Sequence, residues 1–157
     1  MRFHFRVDTL LRSRKVERDN AQRAYSDAQN AVQVQLTLIK QMYEEIDRAR
    51  LVAEQHEASG KAVAGPLVQI DEFIEGQKIR IKRAREKARE LMVIAEEKHE
   101  ILIKKMQEHK VLERLKEKKQ IEFKKEQNKR LNAKIDDIVT MRAAQNRDPQ
   151  GRRRGDL

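Results

Sequence analysis

Apolar side chains recur along the first third of the chain in steps of four and three residues. From Val7 the series runs through Leu11, Arg14, Arg18, Ala21, Tyr25, Ala28, Val32, Gln35, Ile39, Met42, Ile46, Ala49 and Ala53, and eleven of its fourteen members are apolar or Tyr. A 3.5-residue repeat sustained over this length predicts a coiled-coil seam, with the intervening Arg, Glu, Asp, Gln and Asn forming a solvated outer face. The repeat stops at Ala53-Glu54-Gln55-His56-Glu57-Ala58, after which Ser59, Gly60, Gly65 and Pro66 gather most of the helix-breaking potential of the first 145 residues. A second seam then runs through Leu67, Ile70, Ile74, Gln77, Ile81, Ala84, Ala88, Leu91 and Ala95, with eight of nine positions apolar. Beyond it apolar residues persist (Ile101, Leu102, Ile103, Met106, Val111, Leu112, Leu115, Ile121, Phe123) without a strict heptad, which predicts a stutter or local unwinding.

The pattern predicts an all-α fold: a long antiparallel two-helix coiled-coil hairpin over residues 1–145, whose second helix is the longer. Helix one spans about residues 6–58, the turn 59–66 and helix two about 67–145. Pro66 suits the opening of helix two, because its missing N–H would be unpaired in the first turn anyway. The helices would be roughly 80 and 120 Å long at about 1.5 Å per residue. Folding about the turn pairs residues whose numbers sum to about 125. Val32 and Val34 then face Leu91–Ile94, and Phe3 and Phe5 meet Ile121 and Phe123 at the open end. Farther on, Leu131, Ile135, Ile138 and Met141 keep helical spacing with no residue of helix one left to cover them, so they form either a frayed amphipathic tail or a docking face. Residues 146–157 read as a disordered basic tail.

Composition sharpens this picture. Charged residues make up 39% of the chain and hydrophobic ones 38%, too little apolar surface for a globular core. Two Pro and five Gly leave few places to turn, and abundant Ala, Glu, Lys, Leu and Arg favour long helix over disorder. The chain has no Cys, and the absence of disulfide, thiolate and Cys-zinc chemistry fits a reducing compartment. No stretch approaches the roughly 18 apolar residues of a membrane span, and the N-terminus lacks a signal-type run, which together predict a soluble cytoplasmic protein.

The net charge is +10, and residues 76–134 alone hold 20 Lys and Arg against 10 Glu. Such a basic element suits an acidic protein surface, anionic lipid or nucleic acid; equally, it suits a solvated coiled-coil face. Sparse aromatics and the absence of a reading module argue against nucleic acid, and charge spread over many turns without a Trp or Phe face argues against a membrane.

No catalytic residue, metal site, cofactor or small-molecule substrate is expected. Gly60-Lys61 lacks the first glycine of a phosphate loop, since Gln55 stands there. His4, His56, His99 and His109 never fall at i,i+4. The three serines sit on a fold with no concave pocket for convergent catalytic groups. Arg154-Gly155-Asp156 is a chance adhesion tripeptide in an Arg-rich tail.

The segments Arg2–Lys15 (RFHFRVDTLLRSRK) and Glu17–Gln29 (ERDNAQRAYSDAQ), together with Lys110–Ile138 (KVLERLKEKKQIEFKKEQNKRLNAKIDDI), resemble the flagellar type III export protein FliJ family. The Phe3-His4-Phe5 opening and Leu10-Leu11 favour it over injectisome stalk proteins. The resemblance implies a non-enzymatic stalk whose open end enters the export ATPase ring and promotes its assembly and activity. That end would offer Phe3, Phe5, Leu10, Leu11, Arg14 and Arg18 from helix one, and Lys110, Leu112, Leu115, Lys118 and Phe123 from helix two. Arg14 and Arg18 occupy consecutive seam positions, which requires them to snorkel, to pair with Glu108 or Glu113 across the register, or to reach acids of the ring.

The resemblance also implies contact with the membrane export-gate protein through Phe73 and Ile74, a partial match because Gln77 stands where the family favours an aliphatic residue. It implies a cytoplasmic location at the inner face of the membrane at the flagellar base. Escort of export chaperones belongs to the same family picture, with no residue set to assign to it here. The competing readings are a generic or injectisome-type coiled-coil scaffold and a basic nucleic-acid-binding coiled coil.

Overall fold

A computed structural model describes residues 1–60 and 64–147, which form two α-helices packed against each other: α1 (Asp8–Ala58) and the longer α2 (Ala64–Arg147). The start of α1 is marked by the N–H of Asp8, which donates to Phe5 O at 3.1 Å, and by the Asp8 carboxylate in the positive first turn. At its end the N–H of Ser59 donates to Gln55 O, and that of Gly60 to Glu57 O. Gly60 adopts φ 66°, the left-handed conformation that terminates many helices and that a side chain would strain.

Helix α1 begins two residues later than its periodicity predicts, whereas α2 begins three residues earlier, with Ala64, Gly65 and Pro66 already in its first turn. First-turn N–H groups have no intrahelical partner, so neither Gly nor Pro forfeits a hydrogen bond there. Asn146 and Arg147, expected in the tail, still belong to α2. The rest of the expected tail (148–157) and turn residues 61–63 lie outside the described residues.

The described residues divide into two compact units, one within residues 13–109 and one of residues 1–12 with 110–147. In the first, the antiparallel register is fixed by cross-helix contacts: Glu17 with Lys105, Tyr25 with His99, Gln35 with Ala84 and Glu45 with Gln77. Each pair sums to within about six of 125, as a hairpin about this turn requires. Its core is Ile39, Ile46, Ile74, Ile81, Ala84 and Ala88, flanked by Met42, Ala49 and Ile70. The alanines of α2 let the helices approach, and each large side chain buried here stabilises by roughly 1.5–3 kcal/mol. Among the described residues no large side chain is fully enclosed, as expected of a seam closed by only two helices.

All fourteen positions of the first series are buried or half-buried. Two expectations fail: Val34 faces solvent while Val32 is buried, and α2 shows no interruption after Ala95. The heptad continues through Leu102, Lys105 and His109 in the first unit, and through Leu112, Lys116 and Phe123 in the second. The repeat changes chemistry and keeps its spacing, which an apolar count alone registers as a slip.

Two buried amides interrupt the apolar seam. Gln35 Nε2 donates to Ala84 O at 3.1 Å, and Gln77 Nε2 donates to Glu45 Oε2. A buried amide satisfied in one alignment penalises shifted alignments, a recognised means of setting coiled-coil register.

Candidate protein-docking site

The candidate docking residues fall into both units. In the unit of residues 1–12 and 110–147, the rings of Phe3 and Phe123 pack with centroids 5.5 Å apart at an interplanar angle of 60°, a tilted arrangement favoured by aromatic quadrupoles. Phe5 is buried at 8% exposure. Together with Met1, Leu115 and Arg130 these rings line an apolar cleft of about 570 Å³. Ile121, expected to join them, faces solvent on the far side of the helix.

Lys116 Nζ donates to Asp8 at 2.7 Å, and Arg12 pairs with the same carboxylate at 3.0 Å. The Lys116 hydrogen bond, helped by the charges of Lys116 and Arg12, holds the Asp8 carboxyl below the usual aspartate range against the opposing effect of desolvation. Neither Asp8 nor Lys116 stands out in the sequence, although the sum rule places them opposite each other. Glu122, hydrogen-bonded by Lys119 at 2.8 Å, is likewise held below its usual range.

Of the other candidates in this unit, Leu11 and Leu112 are half-buried, and Leu10 (43% exposed), Lys110 and Lys118 face solvent. From Leu131 to Arg147 every described residue is exposed, including Leu131, Ile135, Ile138 and Met141.

Arg14 and Arg18 belong to the unit of residues 13–109, where both are engaged. Arg14 Nη1 lies 3.0 Å from Glu17 and 3.0 Å from Glu108. Lys105 contacts the same two carboxylates at 3.1 and 3.6 Å, closing a four-residue charge network across the seam. The hydrogen bonds from Lys105 and then Arg14 hold the Glu17 carboxyl below the glutamate range. Arg18 donates twice to Asp19, and its Nη1 lies 3.3 Å from Nδ1 of His109. A guanidinium can only donate, so this contact is a hydrogen bond in the tautomer of His109 that carries its proton on Nε2. Of the alternatives open to the two seam arginines, Arg14 takes the cross-seam pairing with Glu108, whereas Arg18 meets Asp19 and His109.

The two gate-contact candidates diverge: Phe73 is 42% exposed, whereas Ile74 is part of the core. Among the described residues there is no group of His, Cys, Asp and Glu able to hold a metal, and no helix long and apolar enough to cross a membrane.

Comparison with known protein families matches residues 3–148 to the family described as flagellar FliJ protein. No curated protein and no solved structure matches the chain.

Proposed function

The chain belongs to the flagellar FliJ family, and from that premise we propose that it is a non-enzymatic stalk between the export ATPase ring and the membrane export gate. As a member of that family it is a component of the flagellar export machinery. In the proposed reading, the end that carries residues 1–12 and 110–125 enters the ring, promotes its assembly and activity, and leaves all bond-breaking to the ATPase. The protein then works at the cytoplasmic face of the membrane at the flagellar base.

The observation that carries this reading is a division of labour within one unit. Phe3 packs on Phe123 and Phe5 is buried in the same cleft, while Leu10, Lys110 and Lys118 remain exposed. Inward aromatics hold the two chain segments together; outward aliphatic and cationic groups are free to meet a partner. Arg14, which is already paired with Glu17 and Glu108, acts chiefly as internal support. At the gate, Phe73 is the available contact and Ile74 holds the helix beneath it.

The test is ATP hydrolysis by the cognate flagellar export ATPase, titrated with this protein and with a Leu10→Ala/Lys110→Ala/Lys118→Ala variant. None of these three side chains is buried, so helicity should survive the changes. Stimulation by the parent that the variant loses is the expected result. A folded parent that leaves a competent ATPase unstimulated, or a variant that stimulates equally, would overturn the stalk reading.

A further inference from the structure

Between residues 78 and 89 the chain carries Lys78, Arg80, Lys82, Arg83, Arg85, Lys87 and Arg89 against a single acid, Glu86. At 3.6 residues per turn, four of these cations (Lys78, Lys82, Arg85 and Arg89) fall within about 60° of one another around α2. They extend over roughly 16 Å at about 1.5 Å per residue. The same four, with Tyr43 of α1, line a groove of about 390 Å³ along one flank of the helix pair.

Within that groove Arg85 is held in place. Its guanidinium carbon lies 5.5 Å from the centre of the Tyr43 ring, and Nη2 donates to the Tyr43 hydroxyl. Lys78 pairs with Glu75 at 2.9 Å, outside the lining. Lys82 and Arg89 make no ion pair among the described residues, nor does Glu86, which lines the same groove. Of the three acids that follow Tyr43 in α1, Glu44 pairs with Lys40 and Asp47 with Arg50 along their own helix, and Glu45 accepts from Gln77 across the seam. The groove is thus lined by four cations at helical spacing and a single acid, Glu86, and of the four only Lys78 is ion-paired among the described residues.

We infer that this groove docks an acidic α-helix of a partner protein, one presenting carboxylates at i, i+4, i+7 and i+11. Charge complementarity selects the sign, and the helical spacing of the cations selects the geometry. A helix laid along the groove brings each of its acids to one cation in turn. The concavity disfavours a flat bilayer, and a single aromatic ring, with Arg85 over one face, offers no platform for stacking successive bases. The surface is also distinct from the gate-contact candidate, because Phe73 lies about 150° away around α2. It therefore stands apart from the stalk reading and can fail independently of it.

The probe is a fluorescein-labelled Ala/Gln helical peptide with four Glu at that spacing, beside a peptide of equal composition with the four Glu distributed around all faces. Fluorescence anisotropy against the full chain should show about tenfold tighter binding of the in-register peptide. Lys82→Glu/Arg89→Glu should abolish that preference, while Arg83→Glu/Lys87→Glu, on other faces of α2, should leave it intact. Circular dichroism confirms that both variants remain helical. Equal binding of the two peptides, or equal loss with both double variants, would reduce the groove to diffuse charge and overturn the proposal. So would binding confined to phosphatidylglycerol-containing vesicles.

Discussion

Two stretches of one seam, both within residues 13–109, are built to opposite prescriptions. Toward the turn, Ile39, Ile46, Ile74 and Ile81 interlock with Ala84 and Ala88. At the other end of the unit, equivalent heptad positions hold Arg14, Arg18, Lys105 and His109, with Glu17 and Glu108 completing the pairs. The geometry is shared and the source of cohesion is not. Apolar burial is strong, non-directional and indifferent to pH. The charge network adds little net free energy, because exposed ion pairs gain modestly and are screened by salt, but it tolerates only the alignment that satisfies it.

The largest expected effect lies in the apolar stretch. Ile46, at 3% exposure, is enclosed as fully as this seam allows, so Ile46→Ala should cost about 3 kcal/mol, read as a lower urea midpoint. The second test converts one stretch into the other. Arg14→Leu should stabilise by about 1 kcal/mol, since Leu fills the seam position and Lys105 still pairs with Glu17 and Glu108. An Arg14→Leu protein that unfolds at lower urea would mean the charge network contributes more than burial.

A smaller gain is expected beside the isoleucine core. Gly76 lies inside α2, has an ordinary negative φ and leaves open space where a Cβ would stand. Gly76→Ala should therefore stabilise by about 0.5–1 kcal/mol in the same titration.

The smallest effect concerns acid. Glu17 has a depressed folded-state pKa, so its contribution is complete above the unfolded glutamate value and is lost as pH falls through the folded one. The melting temperature should drop below about pH 4, less so in Glu17→Gln and in high salt. An identical acid profile for parent and Glu17→Gln would remove the network from the account.

How much is legible varies from residue to residue. The seam of α1 can be read in full, Arg14 and Arg18 included, because a 3.5 period persists even where polar residues occupy it. The facing seam is readable only to Ala95; beyond that point His109 and Lys116 occupy inward positions, which no hydropathy scale marks as interior. Phe3 opposite Phe123 follows from the pairing rule, whereas the exposure of Ile121 requires the helix phase. The Tyr43–Arg85 groove is not evident from the chain alone, although the cations at 78, 82, 85 and 89 carry its spacing. It takes the partner helix to turn a basic stripe into a lined groove.

Periodicity, turn residues and the two family-like end segments determined by themselves the helical class, the hairpin, its approximate register and membership of the FliJ family. These are local or one-dimensional properties, set by which side chains recur and where the chain cannot remain helical. Only the tertiary structure decided which candidates face inward: that Phe5 and Ile74 support while Leu10 and Phe73 are presented, and that Arg14 is engaged by Glu108. Exposure and pairing depend on the rotation of one helix against another, and in a helix a single residue turns a side chain by about 100°.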